Sequence, residues 1–451
     1  MRRLQLAKTR LPLEGIRIAG IVVVWAGPWS MQLLAHMGAE TIRVESCQRF
    51  PAMTRGLFPN PPKLLLDNMP PIMGGYPDRE PGDRPWNRSN HANTTLYNQL
   101  TMTVDLTRPE GMDIFWRLIS KCDAFVENNP PSTMDKLGIT YEKMKEVKPD
   151  IIMLRAPGYG LSGPWKDYRG LGSNFEEYAG HDILRGYLDM DPSGHSMVFA
   201  CDHAAGAQGA FVLLAALHYR NRTGKGQLIE LSQTEAFLPW IAQALMDYDM
   251  NGRIQGTMGN RYPGAAPCGC YRCKGESIAQ GTSNLTPDQG NYVFITCHND
   301  EEWQGLCRAM GNSSWTREEK FADTISRYKN QDELDRHIEG WTRERDHFEV
   351  MYMLQAEGVP AGPVESYKDA YNDPQLKARG FFEWATQEDC GTHLYPGMPW
   401  KMSKTPLRIR RGPARLGEDN EYVYKKIIRV SDEEYAKLDK EGHIGMDFVE
   451  P

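Results

Sequence analysis

The first apolar segment of the chain predicts a buried strand that runs into a helix. Residues 16–24 read IRIAGIVVV, a nearly continuous run rich in β-branched side chains, which is typical of strands buried on both faces of a parallel sheet. The run ends at the Ala-Gly-Pro of 26–28, helical spacing covers 29–37, and a second strand begins at 41 after a glycine. This order predicts a compact βαβ unit.

The same alternation of apolar runs and helical spacing returns downstream. Strand-like runs occur at 102–106, 123–128, 150–155 and 226–232. The helix after the first of them has a proline in its first turn, where a missing N–H has no intrahelical partner to lose. Strands that alternate with helices predict an α/β fold with a parallel sheet. A long apolar stretch that follows Asp202 and ends before Gly224 predicts a buried helix with a glycine terminus.

Changes of texture along the chain predict its division into domains. Residues 47–93 are proline-rich and aperiodic over a length that indicates a functional or interface loop. Glycine, proline and cysteine are frequent from 252 to 291, and a strand with an amphipathic helix comes next, which marks a second domain. The charged end segment has helical character without a large apolar face. We therefore expect a large α/β domain over 1–250, a small domain over 251–367, and a linker and helices over 368–451 that return to the large domain.

Length and composition narrow the class of protein. A chain of 451 residues with 40% hydrophobic and 25% charged residues has the values of a globular protein with two domains. The net charge of -7 argues against a nucleic-acid partner, although four arginines cluster near the end as a solvated face or a local phosphate contact: Arg408, Arg410, Arg411 and Arg415. The apolar run at 16–25 is far shorter than the ~20 residues of a membrane span, so we expect no membrane partner.

The cysteines indicate the compartment. Nine cysteines are scattered along a chain in which no export signal is visible, so we expect reduced thiols in the cytoplasm and no disulfide framework. One group is tight, Cys268, Cys270 and Cys273, but it lacks a second Cys/His pair at zinc-site spacing. We expect no metal there.

Several segments, taken in order, link the chain to a known family. The opening LEGIRIAGIVVVWAGPWSMQLLAHMGAETIRVE is followed by VDLTRPEG, by CDHAAGAQGAFVLLAALHYRNRTGKGQLIELSQTEAF and later by EGVPAGPV, DPQLKARGFF and LGEDNE. Together they resemble the family III CoA-transferases over nearly the whole chain. The resemblance implies a large Rossmann-like parallel-sheet domain, a smaller α+β domain and an interlocked dimer. It also implies transfer of CoA from an acyl-CoA donor to a carboxylic acid, with the CoA thioester as substrate and no tightly bound cofactor.

The resemblance implies that Asp202 is the nucleophile, because the family places an aspartate just before its long alanine-rich helix. A carboxylate at a helix N-terminus meets the helix dipole and free N–H groups, which favour the ionised form and could stabilise an oxyanion. The alternative is an N-cap aspartate, a common device that needs no catalysis.

The resemblance also implies residues that contact coenzyme A. Ala26, Gly27 and Gln32 follow the first strand, and Arg43 is expected near the adenine or phosphate end. The remaining candidates are Asn98, Lys136, Gly158 and Tyr159. The chain departs from the family pattern at Gln99-Leu100, where Lys-Arg is usual, and at Asn129, where an aromatic residue is usual. It also lacks a run of four glycines between 252 and 275, and its segment 51–88 is longer than usual.

Three matters stay open at the level of sequence. An α-methylacyl-CoA racemase resembles these transferases, and His181 in AGHD invites that comparison, although it falls later than a racemase histidine would. A catalytically silent subunit paired with an active homologue is a further alternative, so the assembly is a homodimer or a hetero-oligomer. Trp25, Trp29, Tyr159 and Trp165 could favour a bulky acid, and we expect a succinyl-CoA donor with an aromatic dicarboxylate acceptor.

Overall fold

A six-stranded parallel sheet forms the centre of the larger of two compact units. The computed structural model describes residues 10–68, 75–195, 198–275 and 290–449. The strands are paired in the order β3-β2-β1-β4-β5-β6. Their bounds are β1 (Arg17–Ile21), β2 (Glu40–Glu45), β3 (Leu100–Thr103), β4 (Ala124–Glu127), β5 (Ile152–Arg155) and β6 (Leu228–Glu230). The predicted α/β fold with a parallel sheet is confirmed.

The sheet is buried on both faces, which explains its continuous apolar runs. In β1, Ile18 packs into one hydrophobic core and Ala19 into the other, and Val126 and Phe125 of β4 divide in the same way. Alternate side chains of a strand point to opposite faces, so a strand with a core on each side has few positions for polar side chains.

Helices and helical turns of the larger unit cover the sheet and fill its connections. Their bounds are Ala26–His36, Lys63–Asn68, Pro77–Arg79, Pro85–Arg88, Asn90–Thr95, Pro109–Ile119, Pro131–Lys136, Tyr141–Val147, Gly172–Tyr178, Ala200–Thr223, Gln233–Phe237, Leu238–Ile241, Ala242–Asn251, Tyr422–Ile428 and Asp432–Lys440; a short helix, His181–Leu184, lies at the division between the units. Segment 47–93 is therefore not wholly irregular, because short helices occupy part of it. A proline opens Pro109–Ile119, as predicted.

The long helix Ala200–Thr223 ends at Gly224, whose left-handed backbone with φ 71° suits glycine. It is less buried than its sequence suggests, since Phe211 is 69% exposed. Among the described residues, this helix alone has the length and composition to cross a membrane, and 56% of its apolar window is buried in the protein. Leu213 and Leu217 pack in one sheet core, as expected of a core helix.

The smaller unit contains a three-stranded antiparallel sheet in the order β7-β8-β9. Its strands are β7 (Cys268–Arg272), β8 (Tyr292–Thr296) and β9 (Ala361–Val364), and its helices and helical turns are Pro192–Gly194, Asp300–Ala309, Ser314–Arg317, Glu319–Phe321, Thr324–Lys329, Gln331–Thr342, His347–Ala356, Tyr367–Asn372 and Pro374–Arg379. The cysteine-rich segment thus forms an edge strand. All nine cysteines are free thiols, and no cluster of metal-ligating side chains occurs in the part of the chain that the structure describes.

The compact units differ from the predicted domains by the segment 182–195 and by the second boundary, which follows 379 instead of 367, while the first boundary differs by one residue. Described residues up to 181, 198–249 and from 380 onward form the larger unit, and 182–195 with the described part of 250–379 form the smaller one. A short segment before the long helix therefore belongs to the smaller unit, which composition does not reveal.

The C-terminal segment returns to the larger unit and contributes to its core. It begins with an antiparallel hairpin, β10 (Phe382–Gln387) and β11 (Gly391–Pro396). The expectation that the end segment lacks a large apolar face is wrong, because Val423, Tyr424 and Ile427 belong to one of the two sheet cores. Three of the four clustered arginines are structural, since Arg410 donates to the carbonyls of Ala35 and His36 while Arg411 and Arg415 pair with acidic neighbours.

Candidate functional site

Asp202 lies in the first turn of the long helix and is 3% exposed. The residue that precedes the helix is Phe199, which has a left-handed backbone with φ 59° and makes no side-chain capping bond. Glu176 from the helix Gly172–Tyr178 accepts the N–H of Cys201 at 2.8 Å through its Oε1. A neighbouring helix therefore satisfies one N–H of this terminus, and Asp202 is not its N-cap.

A glycine leaves the space that the Asp202 carboxylate occupies. A Cβ atom built on Gly172 would lie 1.7 Å from Oδ2 of Asp202 and 2.8 Å from its Cγ. Oδ2 is buried and has no hydrogen-bond partner among the described residues. Buried polar atoms are normally paired, and an orphaned one calls for an explanation such as a ligand or a catalytic role.

A second helix terminus faces the same carboxylate. Ala26 is the first residue of Ala26–His36, so its N–H is free of intrahelical bonding, and this N–H lies close enough to the Asp202 carboxyl to lower its pKa. The two helices come close because their contact is built from small residues. A Cβ on Gly206 would lie 2.8 Å from the Ala26 carbonyl oxygen, and the Ser30 hydroxyl donates to the Gly206 carbonyl at 2.9 Å. The positive ends of two helix dipoles thus converge on Asp202.

Burial nevertheless controls the ionisation of this group. Desolvation raises the pKa of Asp202 from 3.8 to about 7, the Ala26 N–H opposes the rise, and the nearby Glu176 carboxylate adds to it. Strong perturbation by burial and a like charge is typical of functional carboxylates.

The thiol beside Asp202 is a poor rival for nucleophilic chemistry. Burial and the neighbouring carboxylates raise the pKa of Cys201 to about 12. Its Sγ donates to the carbonyl of Gln233 at 3.2 Å. Because the thiolate is the reactive form, this cysteine is held in its inert state.

Aromatic and imidazole rings surround the approach to these helix termini. The Trp25 ring stacks on His91 with centroids 5.2 Å apart and meets Phe199 edge-on at 4.7 Å. His203 lies 6.1 Å from Trp25 and 5.6 Å from Trp29. We call these five residues the aromatic cluster. Trp25 precedes Ala26, and Phe199 and His203 flank Asp202, so the cluster adjoins both helix termini.

Segment 47–93 helps to build this cluster. It supplies His91, and its Thr54 accepts the N–H of Val24 at 2.8 Å through its hydroxyl. Val24 has a positive φ of 57°, which is rare for a β-branched residue and persists only where the surroundings enforce it. Nearby, the Asn128 side chain pairs with both the N–H and the carbonyl of Val23. These bonds fix the turn that presents Trp25 and Ala26.

Some of the remaining predicted site residues lie around this turn and the Gly172–Tyr178 helix. Gly27 packs against Asn128, whose Oδ1 would lie 2.5 Å from a Cβ at this position. A Cβ on Gly158 would meet the Phe175 ring at 2.2 Å, and Tyr159 packs edge-on against the same ring. Ala26, Gly27, Gly158 and Tyr159 are thus tied to the elements that hold Asp202.

The other predicted residues have different surroundings. Gln32 is buried and donates to the Tyr97 carbonyl, and Asn98 is bound to the C-terminal segment through the backbone of Arg408, Arg410 and Arg411. Lys136 is exposed at the end of a short helix.

Arg43 is a separate case among these residues. It is 1% exposed, donates to the Val22 carbonyl, and has an Nη1 without a partner among the described residues. Burial lowers the pKa of Arg43 to about 10.

Sequence reasoning missed Gly172 and Glu176, although both contact the first turn of the long helix. Nothing in GSNFEEYAG distinguishes a buried glutamate from the exposed one beside it. His181, the residue that suggested racemase chemistry, lies with its Nδ1 3.5 Å from Oε2 of Glu176 and its ring against Phe237.

Comparisons with known proteins agree with the resemblance drawn from the motifs. The family model of CoA-transferase family III matches residues 13–420. The chain is 29% identical over 435 residues to succinyl-CoA--D-citramalate CoA-transferase of Chloroflexus aurantiacus, which covers 95% of this chain and 96% of that protein. It is 27% identical to the alpha subunit of succinyl-CoA--L-malate CoA-transferase of the same organism, over 95% and 92% of the two chains. The fold is similar to a CaiB/BaiF family protein from Brucella suis, with a TM-score of 0.77, 26% identity, and coverage of 93% and 100%.

Proposed function

Because the chain belongs to CoA-transferase family III, and is therefore a CoA-transferase, we propose that it moves CoA between carboxylic acids through a covalent thioester on Asp202. Succinyl-CoA is the donor that the names of its relatives favour. The observation that carries the proposal is the buried Oδ2 of Asp202, which has no partner among the described residues and lies between two helix termini.

The proposed reaction keeps the energy of the thioester bond. Asp202 attacks the donor carbonyl, the carbon–sulfur bond breaks, and a mixed anhydride and a CoA thiolate result. The thiolate attacks the aspartyl carbonyl, which releases the donor acid and leaves aspartyl-CoA. An acceptor carboxylate then repeats both steps in reverse and restores Asp202. No net proton is gained or lost.

The surroundings of Asp202 support this chemistry. A desolvated carboxylate lacks the water shell that would weaken its attack. The Ala26 N–H is the donor that we propose for the oxyanion of the tetrahedral intermediate, since it lies beside the Asp202 carboxyl and the N–H of Cys201 is already bound to Glu176. We therefore assign the oxyanion contact to the first helix rather than to the helix that carries Asp202.

We further propose that coenzyme A binds along the turn after β1. Ala26 and Gly27 support this placement, because ligands of open parallel sheets bind beyond the carboxyl ends of the strands, where the strand order reverses between β1 and β4. Lys136 and Arg43, whose Nη1 has no partner among the described residues, are the cations that we propose for the phosphate groups of coenzyme A. Gly158 and Tyr159 are the residues that we propose for contact with the acyl group. Gln32 and Asn98 contribute to coenzyme A binding indirectly, because their hydrogen bonds hold neighbouring parts of the chain in place.

Mass spectrometry tests the covalent step directly. Wild-type protein incubated with succinyl-CoA alone should carry a CoA or succinyl adduct on the peptide that contains Asp202, and hydroxylamine should remove it. That peptide also contains Cys201, so Cys201→Ala is the matched control and should still form the adduct. Asp202→Asn should lose both the adduct and several orders of magnitude of transfer.

Two outcomes would overturn the proposal. Substantial transfer by Asp202→Asn would move the nucleophile to another group. Incorporation of solvent deuterium at the α-carbon of a chiral 2-methylacyl-CoA, without transfer of CoA to an added acid, would favour the racemase alternative that His181 suggested.

We propose that the protein works as a cytoplasmic oligomer, an interlocked homodimer or a hetero-oligomer with a homologous chain. The relative named as an alpha subunit supports the second form. Light scattering at micromolar concentration should give at least twice the 51.2 kDa chain mass, and a mass of one chain would contradict the proposal. If the isolated chain forms no adduct and regains activity only with a homologue, it is the silent subunit.

A further inference from the structure

We propose that the aromatic cluster beside Asp202 selects an acceptor acid that carries an aryl ring close to its reacting carboxylate, an inference that rests on the proposed function of Asp202. The acceptor must bring one carboxylate to Asp202, so the rest of its structure lies against the surface that adjoins the two helix termini. On this chain, that surface is the aromatic cluster.

The aromatic cluster combines buried rings with rings that are partly exposed to solvent. Phe199 and His91 are buried beneath it at 6% and 3% exposure, while Trp25 and Trp29 are half-buried and His203 is exposed. The half-buried Trp25 ring therefore contacts two buried rings and remains partly accessible to solvent. A ring held on one side and accessible on another is suited to stack against a flat apolar group.

Two residues with a positive φ hold the aromatic cluster in place. Phe199 with φ 59° immediately precedes the helix that bears Asp202, and Val24 with φ 57° lies two residues before the helix that begins at Ala26. The Thr54 hydroxyl accepts the Val24 N–H, and the Phe199 carbonyl bonds the Nδ1 of His203 at 3.1 Å. Such conformations are maintained at positions where a site must be preorganised. Rings on rigid elements bind a ligand without the entropic cost of ordering them.

The composition of the cluster agrees with an aryl ring. Its members are two indoles, a phenyl ring and two imidazoles, and the Nδ1 of His91 bonds to the Met53 carbonyl. Acids recognised through a hydroxyl need a buried polar group to pair with it. An aryl ring instead requires only the apolar faces that the cluster offers.

A matched pair of acceptors gives the test. With succinyl-CoA as donor, we expect the wild-type protein to use 2-phenylsuccinate with a kcat/KM about tenfold or more above that for 2-methylsuccinate, since the two acids differ by a ring against a methyl group. Trp25→Leu should reduce this ratio toward one. Trp384→Leu, a control at an indole 67% exposed on the β10–β11 hairpin, should preserve it.

The ratio distinguishes the two levels of the proposal. The proposal of an aryl acceptor is overturned if the wild-type ratio of the two kcat/KM values is one or less. It is also overturned if an adduct forms on Asp202 and neither acid removes it. A high ratio that survives Trp25→Leu overturns the assignment to this cluster. The wild-type ratio is informative even if the Trp25 variant does not fold. Absence of both adduct and transfer would instead overturn the proposed function itself.

Discussion

Replacing Asp202 with asparagine should stabilise the protein at alkaline pH. In the wild type, Asp202 titrates with a pKa of about 7 when folded, against an ordinary value of 3.8. The folded state therefore holds the proton more tightly than the unfolded state, and stability is lost progressively as the pH rises from the lower of these two values to the higher. Asp202→Asn keeps the size of the side chain and removes the charge, so its stability lacks this loss.

The magnitude follows from the two pKa values. A difference of one between the folded and unfolded pKa corresponds to about 1.36 kcal/mol of stability. Because the pKa moves from 3.8 to about 7, the ionised carboxylate costs the fold about 4 kcal/mol at pH 8 and about 2 kcal/mol at pH 5. The difference in unfolding free energy between Asp202→Asn and wild type should widen by roughly 2–3 kcal/mol from pH 5 to pH 8.

Denaturant titrations at pH 5, 6, 7 and 8 would measure this difference at constant protein concentration. Asp439→Asn on the last helix, where the carboxylate is exposed, is the control for loss of one negative charge. The widening with pH is the decisive quantity, because differences in packing between acid and amide do not depend on pH. A difference that stays constant, or narrows as the pH rises, would show that burial does not destabilise the Asp202 carboxylate.

Three further predictions concern the site. Adduct formation should rise with pH through about 7, because about a tenth of Asp202 is ionised at pH 6 and about nine tenths at pH 8. In Glu176→Gln, which keeps an acceptor for the Cys201 N–H, the midpoint of this pH profile should fall. An unchanged midpoint would show that Glu176 does not raise the pKa of Asp202. Gly172→Ala should lower kcat/KM at least tenfold without unfolding the protein, because the added Cβ needs the place of the Asp202 Oδ2. Gly340→Ala, whose added Cβ meets no atom within 4 Å, should keep full activity. Equal rates for the two variants would contradict the close contact between Gly172 and Asp202. Thr54→Val, which removes the acceptor of the Val24 N–H at 2.8 Å, should reduce transfer several-fold and Thr54→Ser should restore it; if both variants behave alike, the turn after β1 does not depend on this bond.

The family and the main sheet could be recognised from sequence because both depend on local patterns. The β-branched run at 16–24 predicted β1, and the proline at 109 and the glycine at 224 marked helix ends that the structure contains. Boundaries were less accurate. The charge of the end segment led to the expectation that it has no large apolar face. Val423 and Tyr424 nevertheless fill the core, although charged residues flank them in the sequence. Short helices in 47–93 have no period long enough to detect.

The candidate nucleophile could also be proposed from sequence, because Asp202 occupies a position that the family motif defines. Its properties could not. The pKa of Asp202 depends on burial, on Ala26 and on Glu176, and these groups meet only when the chain is folded. Likewise, the capping alternative could be decided only by finding which side chain accepts the N–H of Cys201, and that side chain lies 25 residues away.

The sequence by itself thus determined the α/β alternation, the family and the identity of the candidate nucleophile, because periodicity and motif are properties of neighbouring residues. The tertiary structure alone decided what surrounds that nucleophile. Ser30 reaches Gly206 across 176 residues of sequence, and this contact brings the terminus of the first helix to Asp202. His91 meets Trp25 only because the short helix Asn90–Thr95 lies against the turn after β1. Contacts between distant residues arise when the whole chain satisfies its burial and hydrogen bonding together, and no short segment contains that information.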